Sequence, residues 1–314
     1  NFREAGPEKM VIQHTEIPFT KGFSNPNPDK LASIKHIVDK MLQQNVIERA
    51  VNSPYSSPCF VVPKKHKPGE TDPQKLWRLV QDYRKLNDVT VCDDYKPPPI
   101  ESCLRALQRA KYFTFLDLTA GFWNMGMHED SKLATTFSIP GLGSFTFNRC
   151  PMGLKNTPAH FQRHMDIMLD DYLWSIALAY IDDICIYSDT VEDHMTHLSL
   201  VFKRLKDHGH SIRLDKCSFF QQEADWLGYH VTSNGLQPQA HHVEGLKNLS
   251  PPTNAKELRA VLGMFNYQRR FVKNFAELIH PLKEETKSTS FKGCTGDSLL
   301  SFQSVKNAIV DFWK

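Results

Sequence analysis

Three aspartates in two short settings have the makings of a metal-dependent site. Asp117 closes an apolar run, Tyr112-Phe113-Thr114-Phe115-Leu116, that reads as a strand. Asp182 and Asp183 stand together between the apolar arms 176–181 and 184–187, which read as a hairpin with two acids at its tip. Adjacent carboxylates resist ionising together unless a cation neutralises them. A merely solvated turn between such arms would ordinarily carry Gly or Asn. Hard carboxylate oxygens suit Mg²⁺. Two such ions, about 3.5–4 Å apart, can activate an attacking 3′-hydroxyl and neutralise the departing phosphates. If the two elements are neighbours in one sheet, all three acids meet at its edge.

The remaining pattern says what must hold those acids. The first thirty residues, with Pro18, Pro26 and Pro28, read as an extended arm. Leu31, Ile34, Ile37, Val38, Met41 and Leu42 recur at helical spacing after a capping Asp29, which predicts a helix ending near Asn45. Strands are expected over 59–63 and 76–80, joined by a basic hairpin from Lys64 to Lys75. A short helix over 100–110 follows Pro97-Pro98-Pro99, and another starts near Thr157-Pro158, carrying Phe161, Met165, Met168 and Leu169. Asp189 and Glu192 suit a capping box for a helix whose apolar face is Met195, Leu198, Phe202 and Leu205, stopped by Gly209. Met165, Met168 and Met195 are all expected in the core, as is Cys185. Past Trp226-Leu227-Gly228-Tyr229, helical segments over 255–265 and 267–275 are punctuated by Pro238 and Pro251-Pro252, placing a boundary near 235.

Composition bounds the partners. The chain has 314 residues, 40% hydrophobic and 23% charged, enough for two or three packed subdomains. No apolar run approaches the ~20 residues of a spanning helix, so no membrane is expected. The start, Asn1-Phe2-Arg3-Glu4, lacks Met and a signal pattern, as in a polyprotein product or a fragment. The seven cysteines form no Cys-x-x-Cys pair, which argues against a zinc ribbon and for a reducing, intracellular setting. His194, His197, His208, His210 and Cys217 lack zinc-finger spacing, and the His194–His197 pair reads as a solvated helix surface. Net charge is only +3, but basic clusters lie early (Lys64, Lys65, Arg78, Arg84) and late (Arg259, Arg269, Lys273, Lys283), as flanks of a nucleic-acid cleft would.

Five motifs in order then carry a resemblance. Trp77-Arg78-Leu79-Val80-Gln81-Asp82-Tyr83-Arg84-Lys85-Leu86-Asn87 resembles the fingers motif of reverse transcriptases. Phe115-Leu116-Asp117-Leu118-Thr119-Ala120-Gly121-Phe122 and Tyr180-Ile181-Asp182-Asp183 resemble the family's two acidic motifs. Pro151-Met152-Gly153-Leu154-Lys155-Asn156-Thr157-Pro158-Ala159-His160-Phe161-Gln162 resembles the signature between them, and Trp226-Leu227-Gly228-Tyr229 the start of its primer grip. The likeness runs from about Pro18 to Leu282 and leans toward gypsy-like LTR retrotransposons and their retroviral relatives.

That resemblance implies an α+β right-hand polymerase: fingers over 1–91 and 125–155, palm over 92–124 and 156–234, helical thumb over 235–287, and the start of a connection over 288–314. It implies Asp117 and Asp182 as principal ligands of two Mg²⁺ ions (Mn²⁺ able to substitute), Asp183 assisting, and the Leu118 carbonyl reaching one ion. Lys64, in preference to Lys65, and Arg78 would hold the triphosphate, with Met152 and Gln162 in the nucleotide pocket. Phe122 stands where the family has an aromatic gate under the sugar, so deoxynucleotides are the expected substrate. Leu227, Gly228 and Tyr229 would position the primer. Met152 departs from the retroviral Gln, and Trp123-Asn124 departs from the family's usual pair after the gate.

The expected partners are an RNA or DNA template with its primer and deoxynucleoside triphosphates, within a cytoplasmic virus-like particle; oligomeric state is left open. Beyond Pro281 only Glu284, Glu285, Asp297 and Asp311 remain as acids, too few on too short a segment for a ribonuclease H, which is expected downstream or on a separate chain. Two rival functions are an RNA-directed RNA polymerase, which Phe122 opposes, and a catalytically silent nucleic-acid-binding domain, which the intact acids oppose.

Overall fold

The computed structural model describes residues 9–18, 28–65, 68–119, 121–232, 235–238, 240–287 and 291–312. Contacts divide the chain into two units, Asn1–Gln222 and Glu223–Lys314.

The centre of the first unit is a four-stranded antiparallel sheet. Its order is Ala177–Tyr180, Asp183–Ser188, Tyr112–Asp117, Ser218–Gln221. Phe113, Leu116, Ile184 and Ile186 are buried on this sheet, as the apolar arms require. The helices Thr157–Leu169 and Val191–Asp207 supply Met165, Met168, Leu169, Leu198, Val201 and Leu205 to one core with Leu116, Ile184 and Ile186. A second core in this unit gathers Ile34, Ile37, Val38 and Met41 of the helix Pro28–Gln43 with Phe137, Phe145 and Phe147 of a three-stranded sheet. Next to it lies the two-stranded pair Cys59–Pro63 and Trp77–Gln81. Trp123 packs against this second core, which accounts for the first of the two departures after the gate position.

Four local expectations change. The cap of Val191–Asp207 is Thr190, not Asp189: its Oγ1 accepts from the Asp193 amide at 3.1 Å, one residue later than the expected box. That helix also turns a different face inward. His194 is fully buried while Met195 is 56% exposed, because 194, 198, 201 and 205 share a stripe at helical spacing too. His194 is tolerated there since both ring nitrogens are engaged, by Thr114 Oγ1 and Ser188 Oγ, each at 2.8 Å. The His194–His197 pair is therefore a structural network and not a solvated surface. Finally, Pro28 already lies in the first helix, so Asp29 falls within its first turn and does not precede it.

In the described part of the N-terminal arm, Met10 and Ile12 are buried, and Met10 bridges Met127. The rest of the expected arm, and His66 and Lys67 of the basic hairpin, lie outside the described residues.

The second unit opens with an antiparallel sheet of Glu223–Trp226, Tyr229–Thr232 and Gly235–Pro238. Helices Ala240–Lys247, Ala255–Tyr267, Phe275–Glu284 and Gly296–Phe312 follow. Of the helix expected over 267–275 there is only a single 3-10 turn, Arg269–Phe271. Asn274 adopts φ 55°, a left-handed conformation that breaks helical continuity, and a new helix begins at Phe275. The segment expected to begin a connection forms the helix Gly296–Phe312, whose Phe302, Val305 and Ile309 are buried with Leu258, Phe265 and Leu282.

Candidate active site

Strand register brings two of the acids face to face. Asp117 pairs with Asp183 across neighbouring strands, at the end of a ladder running from Tyr112↔Ser188. Asp182 occupies the turn between Tyr180 and Asp183. Within that turn Ile181 has φ 53°, a left-handed conformation that costs a β-branched residue about 1–2 kcal/mol. Gln162 holds it there. Its Oε1 accepts from the Ile181 amide at 2.7 Å, and its Nε2 donates to the Ala179 carbonyl at 3.1 Å and to Asp166 Oδ1 at 2.8 Å. Gln162 is 0% exposed. Its amide thus braces the acidic hairpin from behind, where sequence reasoning had assigned it to the nucleotide pocket. The i,i+4 spacing of Gln162 and Asp166 was the available sign of that bracing.

The electrostatics describe a site short of positive charge on one side. Asp182 Oδ1 is buried and has no hydrogen-bond partner among the described residues. Burial, then Asp183, then Asp117 push the Asp182 carboxyl up to about 6. Burial and Asp117 push Asp183 upward as well, although its side chain reaches the surface. Asp117 differs: Lys216 Nζ lies 3.7 Å and Arg213 Nε 4.0 Å from its carboxylate, and its carbonyl accepts from the Arg213 amide at 2.9 Å. Neither basic residue was singled out from sequence, because contact with Asp117 comes only from pairing of Leu118 with Ile212.

An orphaned, buried, hard oxygen beside a second carboxylate fits a divalent cation in donor chemistry. Among the described residues no three acidic, histidine or cysteine side chains are already gathered at metal-binding distance. The register makes the acids neighbours without closing them on one point.

Other expected site residues fall into three places. Phe122, half-buried, sits in the turn Gly121–Asn124 directly after the carboxylate strand, its ring edge-on to Phe161 at 5.1 Å. A Cβ on Gly121 would lie 3.0 Å from Phe161 Cζ, so any larger residue here needs the Phe161 ring to give by a few tenths of an ångström. Leu118 is buried and Met152 is 49% exposed. Lys64 follows Pro63 directly, and Arg78 pairs with Val62, so strand alternation puts Lys64 and Arg78 on one face of that pair. Burial first, then Arg78 and Arg213, lower the Lys64 ammonium pKa. Lys65 is exposed.

Leu227, Gly228 and Tyr229 belong to the second unit. Leu227 (φ 49°) and Gly228 (φ 81°) form the two-residue turn between Glu223–Trp226 and Tyr229–Thr232, a left-handed pair that favours Gly at its second position. The Tyr267 hydroxyl donates to the Leu227 carbonyl at 2.6 Å, and the Tyr229 and Tyr267 rings stack at 5.0 Å.

Carboxylates at facing strand ends of a helix-backed antiparallel sheet mark the palm of a nucleic-acid polymerase of the right-hand fold. Likeness to known proteins narrows the class. A family model described as reverse transcriptase (RNA-dependent DNA polymerase) matches residues 62–231. The retrovirus-related Pol polyprotein from transposon opus of Drosophila melanogaster is 38% identical over 285 residues, 90% of this chain and 28% of that protein. The corresponding polyprotein from transposon gypsy of the same organism is 35% identical over 254 residues, 81% of this chain and 24% of that one. A solved foamy viral protease-reverse transcriptase in complex with RNA/DNA hybrid superposes with TM-score 0.77 at 28% identity, covering 98% of this chain and 40% of that one. The chain belongs to the reverse transcriptase family, and the two transposon polyproteins are among the proteins it is similar to. It spans about a quarter of the length of those Pol polyproteins.

Proposed function

We propose that this chain is a working polymerase that extends a primer 3′-hydroxyl with deoxynucleotides on an RNA or DNA template, using two Mg²⁺ ions. The observation that carries the reading is the pairing of Asp117 with Asp183 beside the unpartnered, buried Oδ1 of Asp182. Asp117, Asp182 and Asp183 would hold the ions, with the Leu118 carbonyl a further oxygen ligand. Bound there, the ions would supply Lewis acidity at the attacking and leaving oxygens. The protein's own part is to keep the hairpin acids in place through Gln162 and to offer Lys64 and Arg78 to the triphosphate, whose transition state is spread negative charge. Phe122 would stand beneath the incoming sugar and reject a 2′-hydroxyl.

A nucleic-acid hybrid as partner is supported by the foamy viral relative, which was captured on one. On this reading the first unit contains the fingers and all of the palm up to Gln222, the turn at Leu227-Gly228 in the palm's last part guides the primer, and the later helices form the thumb. Phosphate and sugar contacts from such a thumb would set affinity and not sequence preference.

Primer extension on an RNA template, with deoxynucleotides and Mg²⁺, tests the proposal. Wild type should extend and Asp182→Asn should not. Salt-dependent binding of hybrid by both proteins without extension by either would favour a catalytically silent binding domain. Equal extension by both would remove Asp182 from the metal site.

A further inference from the structure

Behind the gate turn lies a buried polar chain with no role in the scheme above. Asn124, His210 and His164 are 3%, 7% and 6% exposed. Asn124 Nδ2 is 3.3 Å from the Thr119 carbonyl and 3.4 Å from His210 Nδ1, and His210 Nε2 is 2.8 Å from His164 Nε2. Chemistry orders the protons along this chain. A carbonyl only accepts, so the amide nitrogen of Asn124 is the end that faces Thr119 and it donates. His210 Nδ1 must then accept, its proton sits on Nε2, and that N–H donates to His164 Nε2. Both imidazoles are held neutral: burial first, then the charge of His164, depress His210 to about 3, and burial first, then the charge of His160, depress His164 to about 4. The Asn in place of the family's usual residue is thus a built contact with a defined polarity.

The chain borders Phe122 on both sides. Thr119 and Asn124 bracket the turn that presents it, and the Asn124 bond to Thr119 closes that turn. Phe161, against which the Phe122 ring rests, stands at 89° to His210, 6.5 Å away, and 6.3 Å from His164. The Thr119 amide also donates to the Ser211 carbonyl at 2.7 Å, so the turn and the His210 segment are joined by backbone as well. One polar chain therefore fixes both the turn that carries the gate ring and the ring that backs it.

Resting on the reading of Phe122 as the sugar gate, we propose that Asn124 is a specificity-determining positioning residue, which through His210 and His164 holds the Phe122 ring where a ribose 2′-hydroxyl would meet it. The substrate class it sorts is nucleoside triphosphates, by the 2′ position.

The test is the ratio of kcat/KM for a deoxynucleotide to that for the matching ribonucleotide, in wild type, Asn124→Leu, Phe122→Val and the double variant. Leu keeps the branching of Asn at Cγ and cannot donate. Asn124→Leu should lower the ratio about tenfold, a change of about 1.4 kcal/mol in relative barrier. Phe122→Val should lower it further, and the double variant should match Phe122→Val alone, because Asn124 acts only through that ring. If Phe122→Val lowers the ratio while Asn124→Leu leaves it at the wild-type value, the inference is overturned and the gate stands. Full additivity in the double variant overturns it too, since Asn124 would then act elsewhere. An unchanged ratio in Phe122→Val removes the gate and the inference with it. Should Asn124→Leu fail to fold, Asn124→Ser, too short to span Thr119 and His210, serves as the second variant under the same expectations.

Discussion

Replacing Gln162 by Leu separates two uses of that residue, bracing the acidic hairpin or touching the nucleotide. The substitution removes every polar contact of the amide. It strands the Ile181 amide and the Ala179 carbonyl, both within the hairpin. Each stranded buried group costs about 1–3 kcal/mol, so about 2–6 kcal/mol is lost if the hairpin keeps its shape. Ile181 already carries the strain of φ 53°, and the lost bond was the one restraining it. The less costly response is for the turn to relax, which moves Asp182. Misplacing a catalytic group by about 1 Å costs on the order of 10²-fold in rate. Steady-state primer extension should accordingly show kcat reduced about 10²-fold with the nucleotide KM within about twofold of wild type. Thermal melting should show a folded protein of lowered Tm. A raised KM with kcat unchanged would refute the bracing argument and return Gln162 to the nucleotide pocket.

Further expectations follow from other contacts. Gly121→Ala places a methyl 3.0 Å from Phe161 Cζ in a buried setting, so a loss of about 1–3 kcal/mol is expected, read as a lower Tm and slower extension; wild-type values would mean the Phe161 ring yields freely. Burial lowers His194, chiefly, from the usual 6.5 to about 4, and His164 similarly. Between those limits the unfolded chain binds more protons than the folded one, so stability should rise with pH through that window and fall on acidification from about pH 6.5 toward 4. His194→Gln should flatten that slope in a Tm-against-pH series, and an unaltered slope would assign it to other groups. Arg78→Ala should raise the nucleotide KM several-fold more than it lowers primer affinity, measured by kinetics and by hybrid binding; a selective loss of hybrid binding would move Arg78 to the nucleic-acid track.

The family and fold class of this chain were largely legible in one dimension. The acids that end one apolar run and interrupt another announce themselves, because a carboxylate among strand residues is costly without a cation. Five spaced motifs supplied the family likeness, and the family match over 62–231 bears it out. Periodicity likewise located the helix Thr157–Leu169 and the hairpin around Asp182. What the pattern missed is instructive in kind. His194 and Met195 are equally compatible with an apolar stripe at helical spacing, and the choice fell to whether Thr114 and Ser188 could satisfy an imidazole. Those partners lie on other strands, so only folding brings them into reach. The same holds for Gln162 behind the hairpin, for Arg213 and Lys216 beside Asp117, and for Asn124 with His210 and His164. Residue type and local spacing specify which groups can react and which elements form. Which neutral or charged group stands against each of them depends on hydrogen bonds across many residues of chain. Tertiary packing alone decided those pairings, because a donor and an acceptor 86 positions apart, as Asn124 and His210 are, share no local signal.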